Sequence, residues 1–374
     1  MKAQNSPHGT PERICIQRLS HLGDVVHALP VFHALRRKYP AARIAWVVQP
    51  EFAGLLQGIA GLAEVIPFER RGGLWAWWRL RRKLRAFRAD LAVDCQANWK
   101  SGLATRLSGA KRRVGLHASN WREHRASWCC NELAPEVPRT NEVTPHAVSR
   151  MLHLASYVGE IPANANEDGR LPHDSHFDLL LTREEFEQGT SELRSRLPGR
   201  APVILHLGTG RDPRSWPTSN FAELARLLAK RNRGVLILSG PAEATAGAQV
   251  QAELADVSGI SHWVGQRGLR QLAAFLQAAA RSDADFVSAD SGPMHLAWAS
   301  GLPVTLLAGP QSETATGPWP LTSARDSPHL ALGASSSSLP CRPCFKRVCF
   351  EDSEAEFAPC MQEITPLQVL ESLS

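Results

Sequence analysis

Short apolar runs separated by longer amphipathic stretches set the rhythm of the chain from Arg13 onward. Residues 14–19, 43–48, 62–68 and 90–95 read as strands, and 25–38, 74–88 and 99–107 repeat apolar positions at helical spacing. Strand and helix alternating in this way predict βαβ units around a parallel sheet. The polar stretch 162–176, which contains Asn, Asp, Gly and Pro, reads as a linker. The rhythm then restarts, with strands at 202–207, 234–239, 284–289 and 304–308 and helices at 219–230, 269–280 and 294–300. A Ser-rich loop follows at 333–339, and a last helix is predicted over 365–373. The fold class is therefore α/β, as two successive halves of similar size. Open parallel sheets bind ligands beyond the carboxyl ends of their strands, so the turns after strands are where chemistry is expected, with a cleft between the domains if the two face each other.

Composition narrows the class without changing it. Of 374 residues, 43% are hydrophobic and 21% charged, which excludes a disordered chain, a collagen-like fibre and a disulfide-stapled miniprotein. The net charge of +6 is a mild excess that suits an anionic partner but not a histone-like binder. No run approaches the roughly 20 apolar residues of a membrane helix. The first twelve residues are polar and lack a signal-peptide core, so a cytoplasmic location is expected. Eight cysteines are too few for a disulfide framework and are expected as thiols.

Three turns carry candidate chemistry. Asp24, after the first strand, either caps a helix or serves as a carboxylate base toward a substrate hydroxyl. After strand 202–207, Gly208 and Gly210 resemble a dinucleotide fingerprint, but Pro213 stands at the third glycine position, so the NAD reading is rejected. Arg211 and Arg214 in that turn still suit a phosphate. After strand 284–289 come Asp290, Ser291, Gly292, Pro293, Met294 and His295, with Pro293 expected at the first helical position and the helix N-terminus free to hold a diphosphate. Asp283 and Asp285 match the D-x-D pattern of metal-dependent transferases, yet they fall at the start of a strand and read as structural. Residues 70–88 hold eight basic side chains and no acid, with Trp75, Trp77 and Trp78 interleaved. Trp77, Leu80, Leu84 and Phe87 share one helical face and form a core stripe; the basic remainder is a solvated face or meets anionic headgroups. No nucleic-acid-binding signature accompanies it, so nucleic acid is not expected as a partner. Cys341 and Cys344 have zinc-like spacing but Cys349 and Cys360 do not, which favours local thiols over zinc.

Together these segments resemble glycosyltransferase family 9, the bacterial lipopolysaccharide heptosyltransferases. The resemblance runs from about Arg13 to the C-terminus and rests on 18–30 (RLSHLGDVVHALP), 94–101 (DCQANWKS), 214–217 (RSWP) and 290–297 (DSGPMHLA). Residues 120–128 (NWREHRASW) are most like the heptosyltransferase I branch. The resemblance implies a GT-B fold: a Rossmann-like acceptor domain at 13–165, a Rossmann-like nucleotide-sugar domain at 175–335, and a cysteine-containing segment and last helix at 336–374 returning to the first domain. It implies an inverting transfer of heptose from ADP-heptose to the Kdo of lipid A, without metal or cofactor, at the cytoplasmic face of the inner membrane to which the protein binds peripherally. By position it gives Asp24 as the base. It puts Thr209, Gly210, Arg214, Asp290, Ser291, Gly292, Met294 and His295 on the donor side, and Arg70, Arg71 and Arg122 on the acceptor side. Arg214 stands where many members have Lys, which keeps the charge but changes reach and geometry. A related transferase using another nucleotide sugar or core acceptor, and a non-catalytic binding protein of this fold, are the competing expectations.

Overall fold

The computed structural model describes residues 9–137, 145–159, 177–197, 201–208, 214–265, 268–319, 329–333, 339–346, 348–349 and 356–373. They fall into two units, one ending at Leu180 and the other beginning at Leu181. The first contains β1 (Arg13–Gln17), α1 (Leu22–His27), α2 (Leu29–Lys38), β2 (Arg43–Val48), α3 (Pro50–Leu56), β3 (Leu62–Pro67) and α4 (Gly73–Phe87). It continues through β4 (Leu91–Asp94), α5 (Trp99–Ser108), β5 (Arg112–Gly115), β6 (Glu132–Leu133) and α6 (Ala147–Val158). Its six strands are parallel in the order β3-β2-β1-β4-β5-β6.

The second unit contains α7 (Arg183–Arg196), β7 (Val203–His206), α8 (Thr218–Lys230), β8 (Val235–Leu238), α9 (Ala244–Glu253), β9 (Ile260–Trp263) and α10 (Leu269–Ala280). There follow β10 (Asp285–Ala289), α11 (Gly292–Ala299), β11 (Val304–Ala308), α12 (Glu313–Thr316), β12 (Leu330–Gly333), α13 (Pro359–Gln362) and α14 (Pro366–Ser372). Its sheet runs β12-β11-β10-β7-β8-β9, again all parallel.

The central strands are short and apolar because helices cover both faces of the sheet. In the first unit, Ala76, Leu80, Leu84 and Phe87 of α4 and Ala104 of α5 pack against Cys15, Ala45, Val47 and Ala92. The turn from β4 into α5 is fixed by a capping box, in which Asn98 Oδ1 accepts from the Ser101 amide and Ser101 Oγ from the Asn98 amide. Gly109 closes α5 in the left-handed region, at φ 73°, where a side chain would be strained. In the second unit α7 and α10 approach backbone to backbone: a Cβ on Gly189 would lie 2.4 Å from the Ala274 carbonyl carbon.

Each sheet reverses its strand order once, between β1 and β4 in the first unit and between β7 and β10 in the second. Such switch points open a crevice at the carboxyl ends of the strands, and the turns holding Asp24, Arg214 and Asp290 lie there.

Two features differ from expectation. Residues 177–180 stay with the first unit, because His33 of α2 holds the Asp178 carbonyl at 2.8 Å and Phe177 and Leu179 are buried. The resemblance places the last helix on the first domain; the structure instead puts Val369, Leu370 and Leu373 in the second unit's core with Trp216, Phe221 and Leu224. The Trp216 indole fixes this arrangement by donating to the Ile364 carbonyl at 2.8 Å.

Candidate active site

In the first unit Asp24 lies in the opening turn of α1, but it does not cap the helix; His21 occupies the N-cap position. The carboxylate pairs with the guanidinium of Arg18, which also donates to the Cys95 carbonyl at the end of β4. His21 Nδ1 stands 3.5 Å from the other carboxylate oxygen. Burial alone would raise the pKa of Asp24; the Arg18 charge, the His21 hydrogen bond and nearby His27 outweigh it and hold the carboxyl well below the ordinary range. Asp24 is thus an anion at any working pH. Arg150 of α6 adds a second guanidinium to this group: burial lowers its pKa, the Arg18 charge lowers it further, and Asp24 opposes both.

The rest of the turn is preorganised by β4. Gln96 accepts from the Leu19 amide at 2.7 Å and donates to Ser20 Oγ at 3.3 Å, bridging the ends of β1 and β4. Asp94 is fully buried and accepts from the Gln96 and Ala97 amides at 2.8 and 2.9 Å, so it shapes the turn rather than facing a substrate. Arg18 opens the family segment 18–30 but the sequence assigns it no role there, and Arg150 carries no signal at all. Arg18 sits six residues before Asp24 in the same turn, whereas Arg150 lies more than a hundred residues after it and is brought there only by the fold.

Arg70 and Arg71 lie in the turn between β3 and α4. With His21, Gln49, Glu51 and Glu69 they line a cavity of about 540 Å³ at the carboxyl ends of the first three strands. His21 therefore joins this basic rim to Asp24. Arg122 is 86% exposed and pairs with Glu123 at 3.7 Å, while its amide donates to the Ala97 carbonyl beyond β4. All three proposed acceptor arginines stand at strand ends of one unit.

In the second unit Arg214 donates from Nη1 to the Asp290 carbonyl at 3.0 Å, with the same nitrogen 3.8 Å from the Asp290 carboxylate. The Asp290 carboxylate also meets His295 Nε2 at 3.2 Å, and the Trp298 indole donates to His295 Nδ1 at 3.3 Å. An indole nitrogen only donates, so Nδ1 accepts and the Nε2–H faces Asp290. Ser291 caps α11 by accepting from the Met294 amide, and its hydroxyl meets Ser288 Oγ at 3.0 Å and His206 Nδ1 at 3.4 Å. Gly292 is the first helical residue and Pro293 the second, one place later than the sequence suggests.

Met294 and His295 are buried, so their side chains brace the turn from within. Arg214, 28% exposed at its side chain, and the α11 N-terminus are the parts able to meet an anion. His206, which sequence reasoning missed, is the buried post beneath Ser291 and stacks on Phe286. Thr209 and Gly210 lie outside the described residues.

Asp285 of the D-x-D pair meets Arg233 at 2.7 Å, in keeping with its structural reading. Cys341, Cys344, Cys349 and Cys360 come together around one cavity of about 20 Å³. Burial and then the neighbouring thiols push Cys360 up to about 11. Among the described residues no group of three or more His, Cys, Asp or Glu side chains is placed to hold a metal.

Comparison with known proteins agrees with this layout. The family model for glycosyltransferase family 9 (heptosyltransferase) matches residues 77–354. Lipopolysaccharide heptosyltransferase 1 of Pseudomonas aeruginosa is 28% identical over 90% of this chain and 87% of its own length. Lipopolysaccharide core heptosyltransferase OpsX of Haemophilus influenzae is 24% identical, over 83% of this chain and 82% of its own. Among solved structures, Escherichia coli heptosyltransferase WaaC with ADP-2-deoxy-2-fluoro heptose covers 96% of this chain and 98% of its own, with a TM-score of 0.69 at 20% identity. ADP-heptose lps heptosyltransferase II of E. coli also gives 0.69, at 23% identity over 96% of this chain and 97% of its own. These likenesses establish the GT-B fold that the sequence implied. With the family model spanning most of the chain, the protein belongs to glycosyltransferase family 9, the heptosyltransferases, and is a glycosyltransferase.

Proposed function

We propose that the protein transfers heptose from ADP-heptose to the Kdo inner core of lipid A, with inversion at the anomeric carbon. The observation that carries this reading is that the two charged turns of the family, around Asp24 and around Asp290, both arrive intact at the switch points of their sheets. The relatives' names supply the substrate class: lipopolysaccharide heptosyltransferase 1, and a heptosyltransferase solved with an ADP-heptose analogue.

The chemistry follows from these groups. The diphosphate gathers negative charge as its bond to the anomeric carbon breaks. Arg214 and the amides at the start of α11 offset that charge, so no metal is required at this step. The acceptor hydroxyl attacks the opposite face of the sugar and passes its proton to the Asp24 carboxylate. Arg18 and His21 hold that carboxylate in place; its low pKa makes it a modest base that is always in the competent ionised form. Arg70, Arg71 and Arg122 receive the carboxylates and phosphates of the acceptor. Asp290 keeps Arg214 and His295 in position from within the second unit.

Such an acceptor resides at the cytoplasmic face of the inner membrane. Peripheral attachment is compatible with the absence, among the described residues, of any helix long and apolar enough to cross a bilayer. The test is a mass-spectrometric screen of nucleotide sugars against Kdo-bearing acceptors. ADP release and a heptose mass increment only when both ADP-heptose and acceptor are present support the reading. Turnover with a different nucleotide sugar and none with ADP-heptose would replace it with the related-transferase alternative. ADP-heptose binding without turnover on any acceptor would favour the binding protein.

A further inference from the structure

Eleven large hydrophobic side chains remain exposed among the described residues, and six of them gather on α4, α5 and the 3-10 turn His124–Cys129: Leu74, Trp75, Trp78, Trp99, Leu103 and Trp128. They form two aromatic pairs, Trp75–Trp78 with ring centres 5.9 Å apart and Trp99–Trp128 at 6.4 Å. Each pair carries an arginine on a ring face: Arg82 lies 5.1 Å over Trp78 and Arg106 lies 4.6 Å over Trp128.

Helical phase explains the exposure. Ala76, Leu80, Leu84 and Phe87 turn α4 toward the sheet, which leaves Leu74, Trp75, Trp78 and Arg82 on the opposite side. On α5, Gly102 and Thr105 are buried while Trp99, Leu103 and Arg106 face outward. Because α4 and α5 cover the same sheet face, their outer surfaces look the same way. Both helices begin at the carboxyl ends of strands, and the aromatic residues cluster in their first turns. Trp78 is only five residues into α4, about 8 Å along the axis at ~1.5 Å per residue, and Arg70 and Arg71 immediately precede that helix. The later turns of α4 expose Arg81, Arg82, Lys83 and Arg85, and the helix has no acidic residue.

We infer that the outer face of the α4–α5 layer docks on an anionic lipid bilayer and brings the arginine rim to the membrane surface. The inference rests on the reading that the acceptor is a membrane-anchored glycolipid. Amphipathic Trp rings flanked by basic side chains fit the headgroup layer, where the ring is half-immersed and the cations meet lipid phosphates. A protein partner fits less well, because interface cores are depleted in charged residues and in lysine, whereas the aromatic pairs here run straight into the exposed Arg81, Arg82, Lys83 and Arg85 with no acid on the helix to neutralise them. Single-stranded nucleic acid is taken up in grooves that track its backbone, and these aromatics crown outward helix faces.

The test uses the full chain with vesicles of phosphatidylcholine alone or mixed with phosphatidylglycerol, read by co-sedimentation and by quenching of Trp fluorescence with brominated lipid. Binding is expected only to the anionic vesicles, weakening as NaCl rises from about 0.1 to 0.5 M. Combined substitution Leu74→Ser, Trp75→Ser and Trp78→Ser should abolish the brominated-lipid quenching that those rings contribute. Arg81→Gln, Arg82→Gln and Lys83→Gln together should weaken binding on the order of 100-fold, at about 1 kcal/mol per basic residue. Thermal melts matching wild type certify that the variants are folded.

With an acceptor stripped of its acyl chains both variants should turn over normally, whereas with acylated acceptor in vesicles their KM should rise. Wild type that ignores anionic vesicles at low salt, or variants that bind them equally well, overturn the proposal. So does a wild-type dimer or RNA complex that the Trp substitutions dissolve, with no lipid binding. Vesicle binding needs no turnover, so a failure of the ADP-heptose reading would register separately, as absence of product from the soluble acceptor.

Discussion

Replacing Arg18 by Met tests whether Asp24 works because of its partner. The guanidinium is nearly buried, donates to the Cys95 carbonyl and pairs with the Asp24 carboxylate, so the substitution keeps the aliphatic stem and removes the charge. Losing a charged donor to a buried carbonyl should cost about 1.5–3 kcal/mol of stability. The catalytic effect has a definite sign. In the wild type the folded pKa of Asp24 lies below its ordinary value of 3.8, so the pair favours the folded state above that pH and its contribution fades on acidification. Without Arg18 the strongest opponent of burial is gone, and the carboxyl titrates at higher pH. The acid limb of kcat should therefore move upward, while the wild type shows no limb from this group near neutrality.

The companion Asp24→Asn should fold normally and lower turnover by about 10²–10⁴-fold, the usual span for a general base. Both are read by coupled ADP release at saturating substrates across pH 5–8, with thermal melts alongside. An Arg18→Met acid limb superimposable on wild type, or Asp24→Asn at near-normal turnover, would refute the reasoning.

Three further outcomes follow from the same geometry. Arg214→Ala should weaken ADP binding by about 1.5–3 kcal/mol in isothermal titration, the scale of a charge-assisted hydrogen bond; Arg214→Lys should recover part of the loss, because it restores charge without the fork that reaches the Asp290 carbonyl. Arg70→Ala with Arg71→Ala should raise the acceptor KM and leave the donor KM near wild type; equal acceptor KM values would return these residues to the role of a solvated turn. EDTA should leave the rate unchanged, and an EDTA loss restored by magnesium would place a metal in the reaction.

What the sequence made legible was whatever a short period could carry. The strands at 14–19 and 284–289 announced themselves as apolar runs, and the phase of α4 correctly sent Leu80, Leu84 and Phe87 inward and left Trp77 packed on Phe68. β5 escaped because its four residues include two arginines, and α7 because only Gly189 and Leu193 of its fourteen residues are buried. Its start is written in a capping box instead, Thr182 with Glu185, and Glu185 is then spent on Arg270 of α10 at 2.6 Å.

The site divides along the same line. Asp24, Arg214 and Asp290 sit in turns that a motif can mark, and Arg18 and His21 share the Asp24 motif, whereas Arg150 beside Asp24 and His206 beside Ser291 come from distant chain. Arg18 and Asp24 share the turn after β1, and because β1 pairs with β4 the Cys95 carbonyl and Gln96 anchor that turn from the neighbouring strand. His206 reaches Ser291 because β7 pairs with β10, with His206 directly opposite Ser288. In both units the motif supplies the reacting or anion-binding group, and the adjacent strand at the switch point supplies its support. A substitution at His206 should therefore alter nucleotide affinity in the second unit without touching any motif residue. That dependence is a property of sheet register, which no local pattern encodes.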